Sequence, residues 1–237
     1  MNFKEWKLGL KHGIPICLGY FAVSFAFGIQ AGSIGLTVFQ TFLMSITNVT
    51  SAGQFSALGV IAAGSSYFEM ACTQLLINMR YLLMSCALSQ KVDTRFAFAH
   101  RFGMAYGVTD EIFGSSICHP GPLNPFYTYG LMSSAIPGWG IGTLLGIICG
   151  NILPENIISA LGIAIYGMFV AIIIPTAKVD RRVMTVIIAA MSFSFIFKIV
   201  PFLAKVSSGF QIIIITVVIA SAAALLFPRT EEEEDAY

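Results

Sequence analysis

Apolar runs close to the thickness of a bilayer follow one another along almost the whole chain. They lie at 13–31, 34–64, 66–89, 102–118, 124–150, 157–176, 183–203 and 209–228, with short connections between them. A helix crosses the hydrocarbon core with about 20 apolar residues, and lipid offers backbone polar groups no partner outside the segment itself. Only 11% of residues are charged and 57% are hydrophobic, whereas a soluble domain carries roughly a quarter charged residues. The expected fold is an all-α integral membrane protein, a polytopic helical bundle with about six full spans plus broken or re-entrant half-helices. Residues 1–228 read as one domain and the acidic "RTEEEEDAY" over 229–237 as a solvated, disordered tail. The basic start followed by an apolar stretch has the outline of a secretory signal. Its run contains Pro15 and Gly19 and leads into further spans, so an uncleaved first helix is expected. The net charge of +1 suggests no nucleic-acid partner. The five cysteines lack a C-x-x-C spacing and the three histidines make no zinc motif, so neither metal nor cofactor is expected.

Lysine and arginine set the orientation. Lys4, Lys7 and Lys11, then Lys91, Arg95 and Arg101, then Lys178, Arg181 and Arg182, with Arg229 after the last run, place ten of the thirteen basic residues on one side if all are cytoplasmic. Both termini are then cytoplasmic, Lys198 and Lys205 face outward, and Arg80 lies inside a span. The first helix leaves the cytoplasm and 66–89 returns to it, so 34–64 must begin and end outside. As one helix it would be about 46 Å long, too long for a single crossing. It must fold back, as a re-entrant pair or as two short spans, and the turn falls in "TNVTSAGQ". By the same parity 102–150 crosses an odd number of times. Either 102–118 is a second re-entrant element and 124–150 one long crossing, or three short crossings occur with a break at Pro137–Gly138.

A polar, glycine-containing break at membrane depth survives only where protein or a water-filled cavity covers it, and transporters build midplane substrate sites this way. Asn48, Thr50, Ser51 and Gln54 are therefore candidate substrate-binding residues, unless the break is an external loop. On 66–89, Gln74, Asn78, Tyr81 and Ser85 recur at i, i+4, i+7 and i+11 as a polar stripe, which adds Gln74 and Asn78 to the candidates.

Ionisable groups at membrane depth are costly, and they mark function or pairing. Glu69 and Arg80 share a face but stand about 16 Å apart along the helix axis, too far to pair directly. Arg80 either docks a counter-charge or snorkels to the cytoplasmic interface. Asp110 and Glu111 are adjacent carboxylates in an apolar element. One is a partner for Arg80 and the other a candidate proton carrier, unless both sit in a cytoplasmic loop. Lys198 is expected to snorkel. Gly138, Gly142, Gly146 and Gly150 recur every four residues, a ridge that lets another helix approach closely, within the chain or from a second subunit.

Intramembrane charge, broken helices and no phosphate-binding loop point to a secondary transporter. A channel is disfavoured for want of a selectivity-filter motif. An intramembrane hydrolase is disfavoured because H-E-x-x-H and G-x-S-x-G are missing. An amino-acid or small-solute channel stays as an alternative, and so does a structural subunit whose partner does the work.

The stretches "GIPICLGYFAVSFAFG" (13–28), "MSITNVTSAGQF" (44–55), "LLINMRYLLMS" (75–85), "VTDEIFG" (108–114) and "GTLLGIICGNILP" (142–154) resemble, in order and spacing, the AzlC family of branched-chain amino acid permeases. The similarity covers about residues 10 to 200. The resemblance implies efflux of branched-chain and similar apolar amino acids across a bacterial inner membrane. It also implies a small AzlD-type membrane partner encoded separately. It supplies no settled set of functional residues. The site expectation stays with the polar break and stripe, and with Arg80, Asp110, Glu111 and Glu69 as proton-coupling or ion-pair residues.

Overall fold

The computed structural model describes residues 2–150, 181–203 and 206–227, together with 152, 154, 156, 170, 174, 177 and 178. The run 157–176, Lys205, Arg229 and the acidic tail lie outside these residues or largely so. Among the described residues the chain is helical, without a strand; one isolated parallel bridge joins Val92 to Leu123. The helices are α1 (Asn2–Ser33), α2 (Val38–Asn48), α3 (Ala52–Ala62), α4 (Tyr67–Lys91), α5 (Ala99–Tyr106), α6 (Asp110–Ile117), α7 (Pro125–Gly150), α8 (Arg181–Ile199) and α9 (Ser208–Leu226). Five of them, α1, α4, α7, α8 and α9, are long and apolar enough to cross a membrane.

The chain divides into two compact units, residues 1–58 with 74–163, and residues 59–73 with 164–237. In the first, α1 and α7 form a parallel pair. Gly9 meets Tyr127 and Gly130, Gly13 meets Leu131 and Ser134, Cys17 meets Gly138, Phe21 meets Gly142, Phe25 meets Gly146 and Ile29 meets Gly150. Each step of four on one helix matches a step of four on the other. The glycine ridge is thus filled from within the chain, and it extends back to Gly130. A β-carbon at Gly138 would lie 2.9 Å from the Cys17 carbonyl oxygen, so α1 can come this close only because the ridge has no side chains. Helix α1 starts at Asn2, well before residue 13, because no breaker interrupts 2–13 and Gly9 and Gly13 seat it against the start of α7. Pro137 does not break α7, which excludes the three-crossing alternative for 102–150.

Two broken hairpins flank this pair. Thr37 opens α2 with a capping box to Gln40. Helix α2 then descends along α7, Ser45 Oγ lying 2.6 Å from Thr143 Oγ1 and Ile46 beside Gly140. After the break at 49–51, α3 turns back, so that Leu58 packs with Phe27, Ala31 and Leu36, level with the start of α2. The stretch that parity required to fold back therefore does so, as a half-helix pair.

The stretch 102–118, expected either as a re-entrant element or as part of three short crossings, is likewise two half-helices. Gly107 ends α5, and Thr109 caps α6 by accepting from the Ile112 N–H, with Asp110 and Glu111 in the first turn where the helix dipole favours acids. Helix α5 enters beside Tyr129, Gly107 reaches Met132, and α6 returns to place Ser116 on Thr128 and His119 on Tyr127. This hairpin enters from the opposite end to the first.

That opposite end carries the charge. Helix α4 runs down to Lys91, whose ammonium donates to the Ile117 carbonyl, while the Leu123 N–H donates to the Lys91 carbonyl at 2.8 Å. His119 Nε2 lies 3.4 Å from Glu5, and Arg101 Nε donates to Ser89 Oγ at 2.8 Å. Lys4, Lys7, Lys11, Lys91, Arg95 and Arg101 thereby gather at one end of the unit.

In the second unit α8 packs on α9, and large apolar side chains such as Met191, Phe195 and Leu225 stand outward. Outward apolar faces are the pattern a lipid solvent selects. Lys198 is exposed in the last turn of α8.

Candidate functional site

The tips of the two hairpins meet halfway along the α1–α7 pair. Val49 from the first and Val108 and Ile112 from the second are buried in one cluster with Tyr20 and Trp139. Tyr106 Oη on α5 donates to the Ile46 carbonyl at 2.8 Å, tying one tip to the other.

The first break is held in a conformation that L-residues avoid. Val49 has φ 42° and Ser51 φ 47°, both in the left-handed region, which costs roughly 1–2 kcal/mol for a residue with a β-carbon. Such strain persists only where surrounding contacts impose it. Here they are polar. Thr50 Oγ1 donates to Asn48 Oδ1 at 3.1 Å, and the Thr50 N–H donates to Gln54 Oε1 at 3.3 Å. Gln74 Nε2 donates to the Gly53 carbonyl at 2.8 Å, and Asn78 Nδ2 to Gln74 Oε1 at 3.2 Å. Gly53 leaves room for this network; its β-carbon would lie 2.9 Å from Gln74 Oε1. The structure thus brings Asn48, Thr50, Ser51, Gln54, Gln74 and Asn78 into one cluster. Buried within it, Ser51 Oγ, Gln54 Nε2 and Asn78 Oδ1 have no hydrogen-bond partner. Leaving such atoms unpaired costs about 1–3 kcal/mol each.

The charged residues separate into pairs. Arg80 Nη1 lies 2.8 Å from Asp110 Oδ2, and both side chains are about half exposed. Arg80 also donates to Tyr81 Oη at 3.1 Å and lies over its ring. Glu111 takes a different partner: Tyr20 Oη is 2.7 Å from Glu111 Oε2 and also contacts Thr109 Oγ1. Tyr81 Oη reaches the Thr50 carbonyl at 3.4 Å. The two tyrosines that touch the breaks were not singled out as partners of those breaks in the sequence. The available signal is a tyrosine one helical turn before a serine within an apolar run, at Tyr20–Ser24 and Tyr81–Ser85.

Glu69 belongs to the second unit. Its carboxylate accepts from Ser207 Oγ and from the Gly209 N–H at 3.1 Å, where the positive end of the α9 dipole holds an anion. It is 3% exposed. Its role here is to cap α9, because both available donors come from that helix start. Glu69→Ala is expected to lower stability by about 0.5–2 kcal/mol, the usual cost of a lost cap. Thermal unfolding in detergent measures it, and a melting temperature equal to wild type would refute the cap.

The family model described as AzlC protein matches residues 15–153. An uncharacterized membrane protein of Archaeoglobus fulgidus is 28% identical over 175 residues, 73% of this chain and 76% of the relative. Inner membrane protein YgaZ of Escherichia coli is 26% identical over 190 residues, 77% of each chain. No solved structure matches. The matched stretch 15–153 takes in both hairpins, all of α4 and α7, and α1 from residue 15 onward.

Proposed function

This chain belongs to the AzlC family of membrane transport proteins, and from that premise we propose that it is a secondary transporter exporting branched-chain and similar apolar amino acids, coupled to protons. One observation supports this most: two broken hairpins enter from opposite ends and their tips meet in one buried apolar cluster, while the first break and α4 together hold buried polar atoms that lack protein partners. A zwitterion has complementary needs. Its carboxylate would take Gln54 Nε2 and Ser51 Oγ, its ammonium Asn78 Oδ1, and its apolar side chain the flanking apolar residues.

Arg80 engages Asp110, which leaves Glu111, held by the neutral Tyr20 hydroxyl, as the carboxylate that can exchange a proton without breaking an ion pair. Asp110 is then the structural acid. The basic end would face the cytoplasm of a bacterial cell with an inner membrane, putting both termini there. A small AzlD-type subunit would complete the transporter. Because α1 fills the glycine ridge, that subunit would dock on another face. No residue in this reading is catalytic.

The test is counterflow of radiolabelled leucine, valine and methionine in proteoliposomes, with and without a pH gradient. The chain is reconstituted alone and with a partner subunit. Glu111→Gln should retain counterflow and lose the response to the gradient. If Asp110→Asn and Glu111→Gln both respond to the gradient as wild type does, proton coupling through these acids is wrong. Flux that does not saturate would instead indicate a channel.

A further inference from the structure

The two hairpins have a relation to their spans that the transport reading does not require. Helix α1 runs from the basic end outward, and the α2–α3 hairpin then enters from the far end. Helix α4 runs the opposite way, down to Lys91, and the α5–α6 hairpin then enters from the basic end. Each set is a full span followed by a broken hairpin, and the two sets point in opposite directions. The sequence repeats in step. Val49-Thr50-Ser51 at the first break is matched 59 residues later by Val108-Thr109-Asp110 at the second, and Tyr20 with Ser24 is matched 61 residues later by Tyr81 with Ser85.

The contacts are reciprocal. Tyr20, on the span of the first set, reaches Thr109 at the break of the second. Tyr81, on the span of the second, reaches Thr50 at the break of the first. Exchanging the two sets matches the residues of one contact to those of the other, as a two-fold axis across the spans would do, although Tyr20 meets the Thr109 hydroxyl and Tyr81 the Thr50 carbonyl. We propose that α1–α3 and α4–α6 are inverted repeats, and that Tyr20 and Tyr81 are equivalent positioning residues, each latching the hairpin of the opposite repeat. The equivalence is broken at one point. Where the second repeat has Arg80 and Asp110, the first has Gly19 and Ser51, so only the second carries an ion pair between its span and its own break.

In the transport reading on which this rests, releasing one latch opens the site toward one side of the membrane. Releasing the other opens it toward the opposite side. The experiment reads opening directly and needs no substrate. Single cysteines replace buried Ala57 on α3 or buried Ser116 on α6 in a chain lacking the five native cysteines, and a membrane-impermeant maleimide is applied from each side. Tyr20→Phe should raise labelling at 116 by about fivefold, the shift in an opening equilibrium expected on losing one net hydrogen bond, and leave 57 unchanged. Tyr81→Phe should do the converse. Thr109→Ser, which keeps the hydroxyl that Tyr20 meets and the cap of α6, should leave both reporters as in the parent chain. Equal effects on both reporters, an effect on neither, or a rise at 116 in Thr109→Ser as large as that in Tyr20→Phe would overturn the proposal. If the crossed pattern appears in vesicles that move no amino acid, the latches stand and the transport reading falls.

Discussion

Gly146→Ala is expected to prevent the first unit from assembling, although it adds a single methyl group. Its β-carbon would lie 2.9 Å from Phe25 Cα and closer still to the Phe25 carbonyl. Those are backbone atoms of α1, so no side chain can rotate away and the helices must separate. Overpacking where side chains can adjust costs about 1–3 kcal/mol, and a clash between two backbones should exceed that. Gly142→Ala meets Phe21 in the same way, with Phe21 Cα 3.1 Å from the added carbon. Gly19 is the internal control. It lies in the same α1, and an added β-carbon there meets nothing within 4 Å. Gly19→Ala should therefore be neutral or stabilising, by up to about 1 kcal/mol from helix propensity. Size-exclusion profiles and thermal unfolding in detergent would show the contrast. Comparable melting temperatures for Gly146→Ala and Gly19→Ala would mean that α1 and α7 are not in backbone contact.

Breaking the Arg80–Asp110 pair should be worse than removing it. Arg80→Ala leaves a carboxylate and Asp110→Ala a guanidinium without its partner at membrane depth, where an unpaired charge costs at least about 2.5–3.5 kcal/mol by insertion scales. Both side chains are about half exposed, so water in a cavity would screen part of that cost. Each single variant is expected to lower both stability and transport by more than tenfold in the relevant equilibrium or rate, since about 1.4 kcal/mol corresponds to a factor of ten. The double variant Arg80→Ala/Asp110→Ala should be more stable than either single one. A thermodynamic cycle measures this coupling. Additive losses would show that the 2.8 Å contact contributes no coupling.

Several features of this molecule could be read directly from the residues. The apolar runs forced helices because lipid cannot satisfy a backbone, and the lysine and arginine clusters, combined with parity, required 34–64 to fold back. The polar cluster at the first break was visible as misplaced Asn48, Thr50, Ser51 and Gln54 in an apolar stretch. Pairing of Arg80 with one of two adjacent acids could be anticipated, because charges at depth need partners. The second break was harder to see. Gly107 and Thr109 are ordinary stop and cap residues, and they lie in a run, 102–118, whose length also suits one short crossing.

Three things were decided only by the tertiary structure. Which helix fills the glycine ridge depends on backbone approach, and a pattern of small residues announces a close contact without naming its partner. Which acid Arg80 takes depends on a rotation of about 100° between neighbouring positions on α6, which sends Asp110 to Arg80 and Glu111 to Tyr20. Glu69, an intramembrane acid by sequence, became a helix cap because the first turn of α9 offered it the donors it needed. Solvent and length determine how many times a chain like this must cross or turn back, and they do so locally. Partner choice is a property of three-dimensional proximity, so it appears only once the helices are packed.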